Sequence, residues 1–310
     1  VDPDDVAEFD DQLMADMAEP FDGDFYFMKA IFRAARAQGL EVLLDGGAGD
    51  IVLHEGTYIT RLLRRGHFVT AYREILAAPK FWGGDTAGTE LFLYPLRAVL
   101  PEFVKNGMAP YRRRFRARRF VADSLISTEF SEQADIDQRC EKMWRMFPAD
   151  WIPDPALERV RKIRPNVSAG RERYGRLAAS AGLVATDPFL DLNVVAYCSQ
   201  LPGRMLLRDG WPKFILREAM AGKLPDSVRW GRGKPHIGWI YNDLLLRREK
   251  SRGRLSLNTL QAALKGYVDP AKLREAWREF EVGKDFERIQ AAYVLSRWLE
   301  RSVTRPVVQD

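Results

Sequence analysis

The sequence is poor in the residues that build covalently or metal-stapled sites. Two cysteines, Cys140 and Cys198, and three histidines are spread over 310 residues. They cannot form a disulfide framework, and no Cys/His spacing suits a structural zinc. Low cysteine content of this kind makes a reducing, cytoplasmic setting the default expectation. No apolar run approaches the ~18 residues of a membrane-spanning helix, and no signal-peptide pattern opens the chain. Val1 stands where an initiator methionine would, so the chain reads as a processed or truncated product. Basic residues are missing from the first 28 positions, which hold ten acids and no Lys or Arg.

What is present is ordinary in bulk and uneven in detail. Apolar residues make up 46% and charged residues 29%, enough to bury a core in one or two domains. The net charge of +5 is concentrated in "YRRRFRARRF", Tyr111 to Phe120, with six arginines in eight residues. A solvated helical face is the plainer reading of that run, and a surface for an acidic peptide or partner is the next. No recognised nucleic-acid motif accompanies it, so nucleic acid is not an expected partner.

Two stretches are ordered enough to read directly. In "FMKAIFRAARAQG" the apolar Met28, Ile31, Phe32 and Ala35 follow helical spacing, and Gly39 is a natural stop. "LEVLL" (Leu40 to Leu44) reads as a short buried strand, and "DGGAGD" behind it as a glycine-rich loop. That loop is either a tight structural turn or a cradle for phosphate and metal. Helix, strand and glycine-rich loop in that order belong to α/β proteins, which bind ligands at the carboxyl ends of strands. From about Tyr58 to Ala181 the chain is mostly helical and basic. Further on, Asp191, Val194, Val195, Cys198 and Leu201 recur at helical spacing. Pro212 fits a first helical position ahead of Ile215, Leu216 and Ala219, with Gly222 as the stop. "RWGRGKPHIGW" (Arg229 to Trp239) is too irregular for a helix and concentrates residue types that carry function in loops. No internal repeat appears, so one mainly helical α/β unit is expected.

Four pieces in order resemble the synthetase domain of the asparagine synthase family, which includes asparagine synthetases, β-lactam synthetases and lasso peptide cyclases. "LLDGGAGD" is similar to its Leu-Ser-Gly-x-Gly-x-Asp, "DPFLD" to its Pro-Phe-Leu-Asp, and "DGWPKFILR" to its Asp-Gly-x-x-Lys-x-x-Leu-Arg. Arg232 and Lys234 match its Arg-x-Lys. The resemblance implies an adenine-nucleotide α-hydrolase-like (ATP pyrophosphatase) fold, with residues 1–310 as the C-terminal part of the synthetase domain. It also implies ATP and Mg²⁺ as cofactors. A carboxylate attacks the α-phosphate of ATP to give an acyl-adenylate and pyrophosphate, and an amine then displaces AMP. On this match Asp50 is the magnesium-binding aspartate, and Gly46 and Gly47 lie where backbone approaches the nucleotide. Lys234 is the catalytic lysine that meets charge developing in the transition state, and Arg232 a phosphate contact. His236 is a weaker candidate for handling substrate.

The chain departs from the family pattern twice. The Ser-Gly-Gly-x-Asp-Ser pyrophosphate loop is not found; "FWGGDTAG" lacks a strand before it and follows the Asp50 loop. Half of the nucleotide site is then expected elsewhere, in a preceding segment or on another chain. A non-catalytic peptide-binding scaffold that has lost the ATP site is the alternative. Second, asparagine synthetases carry Glu and β-lactam synthetase Tyr where this chain has Gly47, and Ile51 replaces a frequent Glu. An open loop without a side-chain base, together with "RGKPHIGW", favours a lasso-type cyclase closing a macrolactam. A precursor peptide is then the expected substrate, with a leader-peptide-binding or protease protein as a further partner. An asparagine-synthetase-type amidotransferase domain is the other enzyme reading. A glutaminase is not expected of this segment, since that chemistry needs an N-terminal Cys and Val1 opens it.

Overall fold

The structure is a computed structural model that describes residues 20, 24–83, 93–96, 98–145, 152–233 and 237–304. It is a mainly helical α/β arrangement. The first described helix, Asp24–Ala37, turns inward Tyr26, Ala30, Phe32 and Ala35. It stops where the spacing predicts: Gly39 adopts φ 78°, and its N–H donates to Arg36 O at 2.9 Å. Such a left-handed residue costs glycine nothing and satisfies a terminal carbonyl.

Next comes β1, Val42–Leu44, which pairs in parallel with β2, Val184–Thr186, in the register Val42↔Val184, Leu43↔Ala185, Leu44↔Thr186. Leu43 and Ala185 pack on a core shared by the helices Asp24–Ala37, Pro165–Ser180 and Ile237–Ser251. The opposite face is open. Val42, Leu44 and Val184 are 55%, 70% and 59% exposed, so "LEVLL" is a strand but not the buried one its composition predicts. Parallel strands are normally covered on both faces. Here the second cover is lacking among the described residues, and alternation along β1 sends its two outer residues to solvent.

The loops behind β1 and β2 rest on a smaller core of Val52, Leu53, Cys198 and Leu206, with Phe189, Ile215 and Leu216 packed against it. Asp191 is not part of the apolar face suggested by its spacing. It is the N-cap of the helix Leu192–Gln200, accepting from the N–H groups of Asn193 at 2.9 Å and Val194 at 3.3 Å. At the other end, the buried Arg159 donates to the carbonyls of Ser199 (2.8 Å) and Leu201 (2.5 Å). That satisfies carbonyls a helix cannot pair internally.

A second correction concerns Pro212. It does not open a helix. Trp211–Pro212 is strand β4, antiparallel to β3 (Leu207–Arg208), and the helix begins at Phe214 and ends at Ala219. The hairpin is held down at Gly210, where a Cβ would lie 2.0 Å from Ala77 O and φ is +81°. Only glycine fits there. Its N–H donates to the buried Glu74 carboxylate at 3.0 Å.

The arginine run lies in the helix Glu102–Asp123, which packs along Ile136–Arg145. Ala117 faces inward, while Tyr111 and Phe115 are 74% and 67% exposed. Arg114 pairs with Glu141 at 3.6 Å, Arg119 with Asp123 at 3.2 Å, and Arg116 lies over Trp144. Exposed pairs like these contribute little stability. The last helices, Leu257–Ala263, Pro270–Glu281 and Glu287–Thr304, close a separate core around Leu273, Phe280 and Ile289. No helix of the described residues is long and apolar enough to cross a membrane.

Candidate functional site

An aspartate directly follows each of β1 and β2. Asp45 N–H extends the ladder to Thr186 O at 3.1 Å, and Asp45 Oδ1 accepts from the Gly47 N–H at 2.5 Å. Asp187, one residue beyond β2, lies beside it. Arg171 bridges the two: its Nη2 lies 3.2 Å from Asp45, its Nε pairs with Asp187, and its guanidinium stacks 4.1 Å from the Tyr174 ring centroid. The carboxylates divide the charge unequally. Burial, with the hydrogen bond to Asp45, pushes Asp187 up to about 6. Burial also works to raise Asp45, but hydrogen bonds from Asp187 and the Gly47 N–H, with the Arg171 charge, bring it below the usual range. The pair therefore retains a proton on Asp187 into the mildly acidic range.

This cluster changes the reading of Gly47. A Cβ there would meet Asp45 Oδ1 at 2.6 Å and Asp187 Oδ1 at 2.7 Å. The space a larger side chain would need is already filled, so Gly47 does not open the loop. Gly46 does: nothing lies within 4 Å of the position its Cβ would take. Ala48 then turns left-handed at φ 62° to start the short helix Gly49–Val52, which carries Asp50 in its first turn.

Asp50 faces a cavity of about 510 Å³, lined among others by Trp82, Lys213 and Arg232. Its Oδ1 pairs with the ammonium of Lys213. One wall is fixed by Arg217, which lies over the rings of Phe81, Trp211 and Trp230 and donates to Pro212 O at 2.9 Å. The Gly233 N–H donates to Phe81 O at 2.7 Å and ties the irregular segment to that wall. His54 forms part of the floor. Its Nδ1 accepts from the Gly56 N–H at 2.7 Å and lies 2.8 Å from Lys162 Nζ, so the proton of the neutral ring belongs on Nε2. Burial lowers its pKa and favours that neutral form.

Of the residues singled out in the sequence, Asp50 and Arg232 meet at one cavity, and Gly46 and Gly47 belong to the loop that presents Asp50. Lys234 and His236 lie outside the described residues. Three features were not anticipated: Lys213 on Asp50, the Asp45–Arg171–Asp187 cluster, and His54. Lys213 was in plain sight as the lysine of "DGWPKFILR". The others depend on contacts across more than a hundred residues.

The residues present fit a magnesium site of one kind. Among the described residues no cluster of three His, Cys, Asp or Glu could hold a metal alone. Mg²⁺ is commonly bound through one or two carboxylates, with phosphates and waters completing its shell. Asp50 supplies one such carboxylate, and a cationic nitrogen already sits on it.

A glycine-rich loop at the carboxyl end of parallel strands, an aspartate presented from it and basic groups around one cavity place this site where α/β proteins bind ligands. The asparagine synthase family model matches residues 1–300, and the chain belongs to that family. It is also similar to asparagine synthetase [glutamine-hydrolyzing] 3 of Bacillus subtilis (strain 168), 34% identical over 65 residues, 21% of this chain. The match covers 11% of that relative's length. Members of the family are ATP-dependent ligases.

Proposed function

We propose that this chain carries the Asp50 half of an ATP-dependent, AMP-forming amide synthetase, and that the amide closes a macrolactam in a peptide of the lasso type. The observation that supports it best is the cavity shared by Asp50 and Arg232 at the mouth of the β1 loop. Asp50 would hold Mg²⁺, which when bound neutralises charge building on the departing pyrophosphate. Arg232 supplies a fixed positive charge to the phosphates. Lys234 is assigned to the tetrahedral intermediate, because a compact ammonium suits localised negative charge. Gly47 itself brings no acidic or phenolic base, and the Asp45 and Asp187 carboxylates beside it are held by Arg171, in keeping with a substrate whose own amine attacks.

The open face of β1 and β2 supports the second half of the reading. Leu40, Val42, Leu44 and Val184 form an apolar surface that needs cover. A further strand-and-helix segment, carrying the Ser-Gly-Gly-x-Asp-Ser loop in the same polypeptide or in a second one, would supply it. The exposed arginines and aromatics of Glu102–Asp123 suit an acidic peptide, either precursor or partner protein. The test is ATP–pyrophosphate exchange with candidate precursor peptides, with and without a segment bearing that loop. Exchange that needs both supports the cyclase. Exchange driven by free aspartate instead would favour an asparagine-synthetase type, and no exchange in any combination would favour a binding scaffold.

A further inference from the structure

Lys213 combines an unusual backbone with a side chain that reaches the site. Its backbone is left-handed at φ 54°, a conformation that asparagine or glycine would hold at less cost. It is tied there from both sides: β4 ends immediately before it, and its carbonyl accepts the N–H groups of Leu216 at 3.0 Å and Arg217 at 3.1 Å. Strained backbone persists where the surroundings enforce it, and such positions concentrate at functional sites. The second feature is the direction of the side chain, across the cavity to the Asp50 carboxylate.

With Asp50 read as the carboxylate for a divalent cation, on which this inference rests, two cations claim one ligand. The pair is not locked away, since the two side chains are 36% and 47% exposed. A divalent ion brought in with a polyphosphate outcompetes a single ammonium for a hard oxygen. The released ammonium, on a flexible four-carbon stem, then lies in the same cavity as Arg232 and beside the new polyanion. We propose that Lys213 is a positioning residue that exchanges partners: it holds Asp50 in the empty site and passes to the phosphates when the cation takes the carboxylate. The exchange keeps Asp50 neutralised and pointing into the cavity at every stage. It also makes phosphate binding by Lys213 conditional on the cation.

The test follows the lysine itself. The full chain, combined with a segment bearing Ser-Gly-Gly-x-Asp-Ser, is reductively methylated with ¹³C, which keeps the charge, and the Lys213 methyl signal is assigned by its loss in Lys213→Arg. Asp50→Asn should move that signal toward the position of a free lysine; no movement overturns the pairing. Mg²⁺ alone should move it the same way in wild type. If Asp50→Asn moves it and Mg²⁺ does not, the cation role of Asp50 fails, and the proposed function loses its metal assignment. Added pyrophosphate should shift the signal again only when Mg²⁺ is present. In calorimetry, Lys213→Asn, which suits the left-handed backbone, should weaken Mg-pyrophosphate binding about tenfold or more. Equal affinity, or no pyrophosphate-dependent shift in wild type, overturns the phosphate role while leaving the reading of Asp50 intact.

Discussion

Asp50, in the short helix behind the β1 loop, and Asp187, just past the end of β2, are both carboxylates near the sheet, yet their surroundings differ. Asp50 stays half exposed and reaches a cavity, which suits the metal role proposed for it. In the assembled enzyme, Asp50→Asn is expected to abolish adenylation with the fold intact, because an amide keeps the shape and loses the charge a hard cation needs. Normal turnover in excess Mg²⁺ would contradict the metal role. Lys234→Ala should lower turnover by about 10²–10³ with little change in substrate binding, since its contact strengthens only as charge develops. Steady-state kinetics separate the two parameters. Asp187, by contrast, is buried against Asp45 and Arg171, and its folded pKa of about 6 lies above the 3.8 of an unperturbed carboxyl. The native state therefore holds a proton between those values that the unfolded chain releases. Asp187 contributes stability below pH 3.8 that is lost as pH rises through about 6. Asp187→Asn should flatten that part of the profile, read as the denaturation midpoint from pH 4 to 6.5. A mutant profile parallel to wild type would contradict the shared proton.

Among the elements, periodicity revealed the helices but not what surrounds them. The stop of the first helix at Gly39 was legible because a left-handed terminus is a local property. The exposure of β1 was not, because whether a strand is covered depends on chain that lies across it. Pro212 misled for a related reason: proline suits the first turn of a helix and an edge strand equally, and only the pairing with β3 decides. That hairpin offers a direct check. Gly210→Ala forces a methyl into Ala77 O at a positive φ, and the cost should be about 2 kcal/mol or more in chemical denaturation. A loss below ~0.5 kcal/mol would mean that the hairpin does not sit where described. The arginine helix is the other element whose role is open to test. Arg112, Arg113, Arg116 and Arg119 replaced together by Gln should weaken precursor or partner binding and flatten its salt dependence. Unchanged affinity at low salt would return the run to a solvated face.

At the scale of the whole molecule, the described residues hold several packed cores and a cavity beside the carboxyl end of the two-stranded β1–β2 sheet. Family membership was legible in four short pieces of sequence, and three of them supply the cavity residues Asp50, Lys213 and Arg232. The Asp45–Arg171–Asp187 cluster was not legible, because sequence alone does not show that residue 171 reaches two strand ends. The central claim is that this chain supplies one half of an adenylating site and needs another. The most direct measurement is ATP–pyrophosphate exchange by the 310-residue chain, with Mg²⁺ and candidate precursor peptides, alone and then with a segment bearing Ser-Gly-Gly-x-Asp-Ser. The account predicts no exchange from the chain alone, exchange on adding the segment, and none again with Asp50→Asn. Robust exchange by the isolated chain, or exchange by the combination that survives Asp50→Asn, would contradict it.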